Sequence, residues 1–212
     1  MNGDSNYFKN KTMSIEQQLD LKFPIYWNNW PIEEEFARYL IYKVITNRPV
    51  NIVELGSGTS SLIILKTLER LGYDYTLMSF DSDRSFLEKT KNLLVAENVY
   101  DEKKVKLVFS DITEFEINGA MYKWYNPRDF KFDFDKIDLL FVDGPLGSLC
   151  KNSRYPAINV MKKYLKKDSV IILHDAKRPE EIEIVNMWKK ENSEIVGAYT
   201  IETERGGAEI QF

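Results

Sequence analysis

Residues 50–61, Val-Asn-Ile-Val-Glu-Leu-Gly-Ser-Gly-Thr-Ser-Ser, restrict the fold more than any other stretch of this chain. Val50 to Leu55 reads as a short apolar strand, Gly56 and Gly58 as a tight turn, and Thr59 onward as the start of a helix. Glycine at such a turn lets the backbone bend sharply and approach a ligand with no side chain between them. Strand, glycine turn and helix open a doubly wound α/β fold, whose ligands lie over the carboxyl ends of the strands. A tight turn without a ligand would use the same glycines, so the ligand has to be read from the neighbours.

Glu54 is the informative neighbour. Gly56-Ser57-Gly58-Thr59-Ser60-Ser61 is an imperfect G-x-G-x-x-G, with Ser61 where a dinucleotide fingerprint has Gly or Ala. A carboxylate two residues before the first glycine is expected to face the ligand. It would repel a pyrophosphate and favour a cation. S-adenosylmethionine (SAM) carries a sulfonium and an ammonium and no phosphate. The pattern therefore favours SAM over NAD, with Glu54, Gly56, Ser57 and Gly58 as cofactor-binding residues.

The rest of the chain alternates strands and helices, which implies a parallel sheet. Ser14-Ile-Glu-Gln-Gln has a capping-box pattern and predicts a short helix. An aromatic loop from Phe23 to Pro31, with Trp27 and Trp30, either covers a pocket or packs on the domain. Pro31 and Glu33 to Glu35 suit the first turn of a helix carrying Phe36, Leu40, Ile41 and Val44. Further strands are expected at Tyr75–Phe80, Val105–Phe109, Ile137–Asp143 and Ser169–Leu173, and two late ones at about 194–201 and 207–212. The last two form an antiparallel hairpin across Gly206-Gly207, giving a mostly parallel seven-stranded sheet. Residues 112–136 show no clear period and read as a long excursion.

Acids recur where these strands end. Asp81 lies 23 residues beyond Gly58, where the fold places an acid for ribose hydroxyls, with Ser82 beside it; Asp83 suits a helix N-cap. Asp111 follows the third strand, near the expected adenine position. Asp143 ends the fourth strand, and His174-Asp175 the fifth. All fall on one rim. His174 is the chain's single histidine, and an unperturbed pKa near 6.5 suits a general base. Asp143 could take an acceptor's proton or hold the SAM ammonium.

Composition excludes other classes. With 43% hydrophobic residues over 212 positions, the chain supports one full core. No run of about 18 apolar residues suggests a membrane helix. The polar start, Met1 to Thr12, has no signal-peptide core. One cysteine, Cys150, rules out an internal disulfide and points to a cytoplasmic location. A net charge of −4 without a basic stripe argues against nucleic acid. Residues 1–30 are expected to be a polar tail and aromatic cap, and 31–212 the SAM-binding domain.

The segment around Glu54 resembles motif I of the class I SAM-dependent methyltransferases. Trp124-Tyr125-Asn126, Asp143-Gly144-Pro145, Arg154-Tyr155-Pro156-Ala157 and His174-Asp175-Ala176-Lys177-Arg178 resemble a bacterial subgroup acting on sugars or other small hydroxylated molecules. The resemblance implies a Rossmann-like fold and methyl transfer to an acceptor hydroxyl, with His174, Asp143 and Asp175 as catalytic residues. It also implies Asp143 and Asp175 as ligands where related enzymes place Mg²⁺, although those enzymes commonly have Asn or Asp where Ala176 stands. Arg154, Tyr155 and Arg178 could meet an anionic acceptor such as a uronate or phosphosugar, or be exposed and solvated. An N-methyltransferase, an NAD-linked enzyme and a non-catalytic binding protein of the same fold stay open, as does a homo-oligomer.

Overall fold

The computed structural model describes residues 13–27 and 32–212; Met1 to Thr12, Trp30 and Pro31 lie outside them. Two short pieces open the described chain. Helix α1 (Ile15–Leu19) starts with a reciprocal cap between Ser14 and Gln17, as its sequence predicts. Helix α2 (Glu34–Asn47) buries Phe36, Leu40, Ile41 and Val44 along one stripe.

The doubly wound unit follows. Strand β1 (Asn51–Leu55) leads through the glycine turn to α3 (Thr59–Leu71), which stops at Gly72 in a left-handed conformation. Strand β2 (Thr76–Asp81) precedes α4 (Arg84–Ala96), capped by Asp83 on the Ser85 and Phe86 amides. Strand β3 (Val105–Phe109) follows. The expected excursion then contains an antiparallel hairpin, β4 (Ile112–Ile117) and β5 (Ala120–Tyr125). Its turn is Asn118-Gly119, both at positive φ, which is the pairing that tight hairpins demand. Strand β6 (Leu139–Val142), α5 (Pro156–Met161), β7 (Val170–His174), α6 (Pro179–Glu191), β8 (Gly197–Ile201) and β9 (Gly207–Gln211) complete the fold.

The main sheet has the order β3-β2-β1-β6-β7-β9-β8. The first five run parallel; β9 is inserted antiparallel between β7 and β8. Strand side chains alternate between faces. Ile52, Phe141 and Ile172 go to a core with α1–α4, while Val53, Leu55, Val142 and Leu173 go to a core with the β4–β5 hairpin, α5 and α6. The alternation decides which rim residues face a ligand. Glu54 and His174 share the parity of Ile52 and Ile172, so both point beneath the helices of the first face.

Candidate active site

The rim over β1, β2, β6 and β7 carries a cavity of about 660 Å³. Gly56, Ser57 and Gly58 form one wall. Gly56 has φ +91° and Gly58 φ +142°, and a Cβ on Gly56 would stand 3.0 Å from the Gly144 amide nitrogen. The turn is glycine because two backbones meet there. Asp81 and Ser82 line the same wall. The Asp81 carboxylate accepts from the Ser57 amide at 3.0 Å and the Ser57 hydroxyl at 2.9 Å, and from the Asp83 amide at 3.0 Å. It therefore fixes the turn while its edge borders the cavity.

Glu54 does not face the cavity, which corrects the expected contact. It is fully buried, and the hydroxyls of Ser60, Ser61 and Ser79 donate to it at 2.5–2.6 Å. Burial raises its pKa to about 7 against the pull of these hydroxyls, with Asp143 adding to the rise. Ser61, the departure from the fingerprint, also accepts from the Gly58 amide through its hydroxyl. Glu54 thus ties α3 and β2 to the turn from below. Asp111 is a second correction. It is exposed and is not part of the cavity wall.

The other wall is charged. Asp143, Gly144, Arg154, Asp175, Arg178 and Arg205 line it. His174 is beneath, 1% exposed, with its ring 4.5 Å from that of Phe36. Its Nδ1 lies 2.9 Å from Asp143 Oδ1 and its Nε2 2.7 Å from Glu33 Oε2. Burial opposes its charge, but Asp143, Glu33 and Asp175 raise its pKa to about 9. His174 is therefore an imidazolium clamped between carboxylates at neutral pH, and the expected base role is corrected. Asp143 is partly exposed; burial opposes its ionisation, and His174, Arg154 and Arg205 outweigh that and lower its pKa.

Several residues of this wall were missed or misread in the sequence. Glu33 precedes α2, yet its carboxylate leaves the helix end to accept from His174, the Thr203 hydroxyl and the Arg205 amide and Nε. Arg154 is 3% exposed and bound within the protein, and Tyr155 is buried with its hydroxyl on Glu191. Neither is a solvated group. Arg178 lines the cavity, half exposed, with its guanidinium on Asp175. Tyr125, whose sequence signal is only its place in Trp124-Tyr125-Asn126, is buried and borders the cavity from the end of β5. A Cβ on Gly144 would collide with its hydroxyl. Phe23 to Tyr26 line the cavity, whereas Trp27 packs on the first core; Trp30 lies outside the described residues.

Asp143, His174 and Asp175 offer ligand atoms within 4.8 Å of one another, so a divalent ion is a fair question. The surroundings do not fit one. Arg154 Nη2 lies 3.2 Å from Asp143 Oδ1 and 3.5 Å from Asp175 Oδ2, and Arg178 Nη2 lies 2.9 Å from that same Asp175 oxygen. Both ring nitrogens of His174 are taken by carboxylates. The expected Mg²⁺ site at Asp143 and Asp175 is corrected accordingly.

The fold and the glycine-walled cavity define a Rossmann-like methyltransferase. Residues 53–176, more than half of the chain, match the family model described as a methyltransferase domain, and the chain belongs to that family. No curated protein matches the sequence. Among solved structures, an O-methyltransferase from Bacillus cereus in complex with SAH is similar at 11% identity and TM-score 0.63, over 88% of this chain and 84% of that one. The O-methyltransferase TomG from Streptomyces achromogenes, in complex with SAM, is similar at 14% identity and TM-score 0.63, over 93% and 85%. A caffeoyl-CoA O-methyltransferase assignment from Staphylococcus aureus, described as putative, is similar at 13% identity and TM-score 0.63, over 96% and 95%. Among the described residues, no helix is long and apolar enough to cross a membrane.

Proposed function

We propose that this methyltransferase moves a methyl group from SAM to a hydroxyl of a small acceptor, with a sugar or polysaccharide precursor as the acceptor class. The observation that carries the reading is one cavity with two unlike walls. A glycine turn held by Asp81 lies on one side, and an ionised Asp143 on the other. Solved relatives in complex with SAH or SAM support the cofactor. Asp81 and Ser82 would meet the ribose hydroxyls, and the Gly56–Gly58 backbone the amino-acid portion.

The acceptor oxygen attacks the methyl carbon in line. A C–O bond forms, the C–S bond breaks, and its electron pair stays on sulfur, which becomes a neutral thioether. The oxygen turns strongly acidic as it is alkylated, so the weakly basic Asp143 carboxylate suffices to take its proton. Alignment of the two reactants can supply roughly 7–11 kcal/mol. Arg178 and Arg205 at this end support an acceptor with a negative charge, such as a uronate or phosphosugar.

The test is release of S-adenosylhomocysteine (SAH) with a panel of neutral sugars, uronates, phosphosugars and phenols. Turnover with an acidic sugar, falling about 10²–10⁴-fold in Asp143→Asn with SAH affinity retained, is expected. Turnover confined to amines or phenols would overturn the acceptor class.

A further inference from the structure

We infer that Arg154 is the resident cation of this site: its guanidinium fills the gap between the ends of β6 and β7 that a divalent ion would need, and it positions Asp143 toward the acceptor. The inference deepens the methyltransferase reading and rests on it.

The geometry is that of a built-in bridge. Nη2 donates to the Asp143 carbonyl at 2.6 Å and reaches Asp143 Oδ1 and Asp175 Oδ2. Nη1 donates to the His174 carbonyl at 3.0 Å, and Nε to the Pro145 carbonyl at 3.3 Å. One side chain therefore binds backbone from both strand ends and touches both carboxylates expected to ligate a metal. A guanidinium does this in a fixed planar fork and keeps its charge at any ordinary pH. An ion could displace it only if three carbonyls lost their donor.

The neighbours add to the exclusion. Asp175 Oδ2 also meets Arg178, and Asp175 Oδ1, which is buried without a hydrogen bond, has Arg205 Nε at 3.7 Å. Glu181 is the further carboxylate beside Arg154, at 3.8 Å from Nη1. Magnesium demands a near-octahedral set of oxygens and keeps several waters. Here each candidate carboxylate already faces guanidinium, and Ala176 supplies no third ligand. The hydrogen bonds to the Asp143 side chain end on Oδ1, from Arg154 and His174. They leave Oδ2 as the oxygen for the acceptor hydroxyl.

The test is a Mn²⁺ titration of the full chain, stripped of metal by chelation, followed by electron paramagnetic resonance with and without SAH. Wild-type protein is expected to take up no stoichiometric ion at millimolar Mn²⁺. Arg154→Met is expected to gain uptake of one ion per chain, lost again when Asp175→Asn is added. Arg154→Lys, which keeps the charge, is expected to exclude Mn²⁺ and serves if Arg154→Met does not fold. Uptake by the wild type that disappears in Asp175→Asn overturns the inference, as does a folded Arg154→Met with no uptake. A purely structural arginine would not change ion uptake. Failure of SAH to bind in the same samples would count against the methyltransferase reading, whereas Mn²⁺ uptake with SAH bound would count against Arg154 alone.

Discussion

Glu54 and Asp143 are both strand-end carboxylates on neighbouring strands, yet they are held in opposite ways. Glu54 is surrounded by three neutral hydroxyls and its pKa rises to about 7. Asp143 sits beside Arg154 and His174 and its pKa is lowered. Burial outweighs the pull of the hydroxyls at Glu54, whereas at Asp143 the neighbouring cations outweigh burial. The wall with the glycine turn is thus stiffened from below by three hydroxyls that donate to one buried carboxyl group. The charged wall holds a carboxylate whose ionised form the neighbouring cations favour.

Substitutions can break this contrast. Arg154→Ala should have the largest effect, since it leaves Asp143 and Asp175 short of their buried cation. Loss of about 3–5 kcal/mol is expected from denaturant midpoints. Glu54→Ala should cost less, about 1–3 kcal/mol, because it strands neutral hydroxyls rather than charges. An equal or larger loss in Glu54→Ala would undo the comparison. Gly144→Ala is expected to cost about 1–3 kcal/mol by pushing on Tyr125 and on the Gly56 amide, with part recovered in Tyr125→Phe. No recovery would mean the Gly56 backbone alone sets the limit.

Titration sharpens the contrast with smaller effects. His174 is raised from 6.5 to about 9, so its stabilisation is fully present below pH 6.5 and lost as pH rises through 9. Glu54 is also raised, from 4.5 to about 7, and its folded form prefers the proton. Its contribution is lost earlier, as pH rises from 4.5 through 7. Each is expected to be worth on the order of 1–3 kcal/mol. Stability measured against pH should flatten above 6.5 in His174→Gln and below 7 in Glu54→Gln. Asp143 works the other way, its contribution present above 3.8 and lost as pH falls further.

The fold was largely legible because its signals are local. The glycine turn, the Ser14 and Asp83 helix caps, and the strand–helix alternation are each read within a few residues. The β4–β5 hairpin had a local signal too, Asn118-Gly119 between alternating runs, but its aromatic surroundings obscured the period. The charged wall was only half legible. The positions of Asp143, His174 and Asp175 follow from strand ends, but their partners come from far along the chain. Glu33 is 141 residues from His174, and Arg205 lies beyond Glu33 by 172. Which face a rim residue takes also depends on strand parity, which turned Glu54 and His174 beneath the helices. Arg154 reads equally as an acceptor contact or a solvated charge, because nothing local says that three carbonyls converge on it.

The most direct test of the central claim is calorimetric titration of the purified chain with SAH, with NAD as the control and Asp81→Asn as the comparison variant. The account predicts saturable SAH binding, no NAD binding, and an affinity reduced about 10–100-fold when Asp81 no longer holds the Ser57 turn with a charged acceptor. Absence of SAH binding by the wild type, or binding of NAD in its place, would contradict the assignment of residues 50–61 and the proposed function with it.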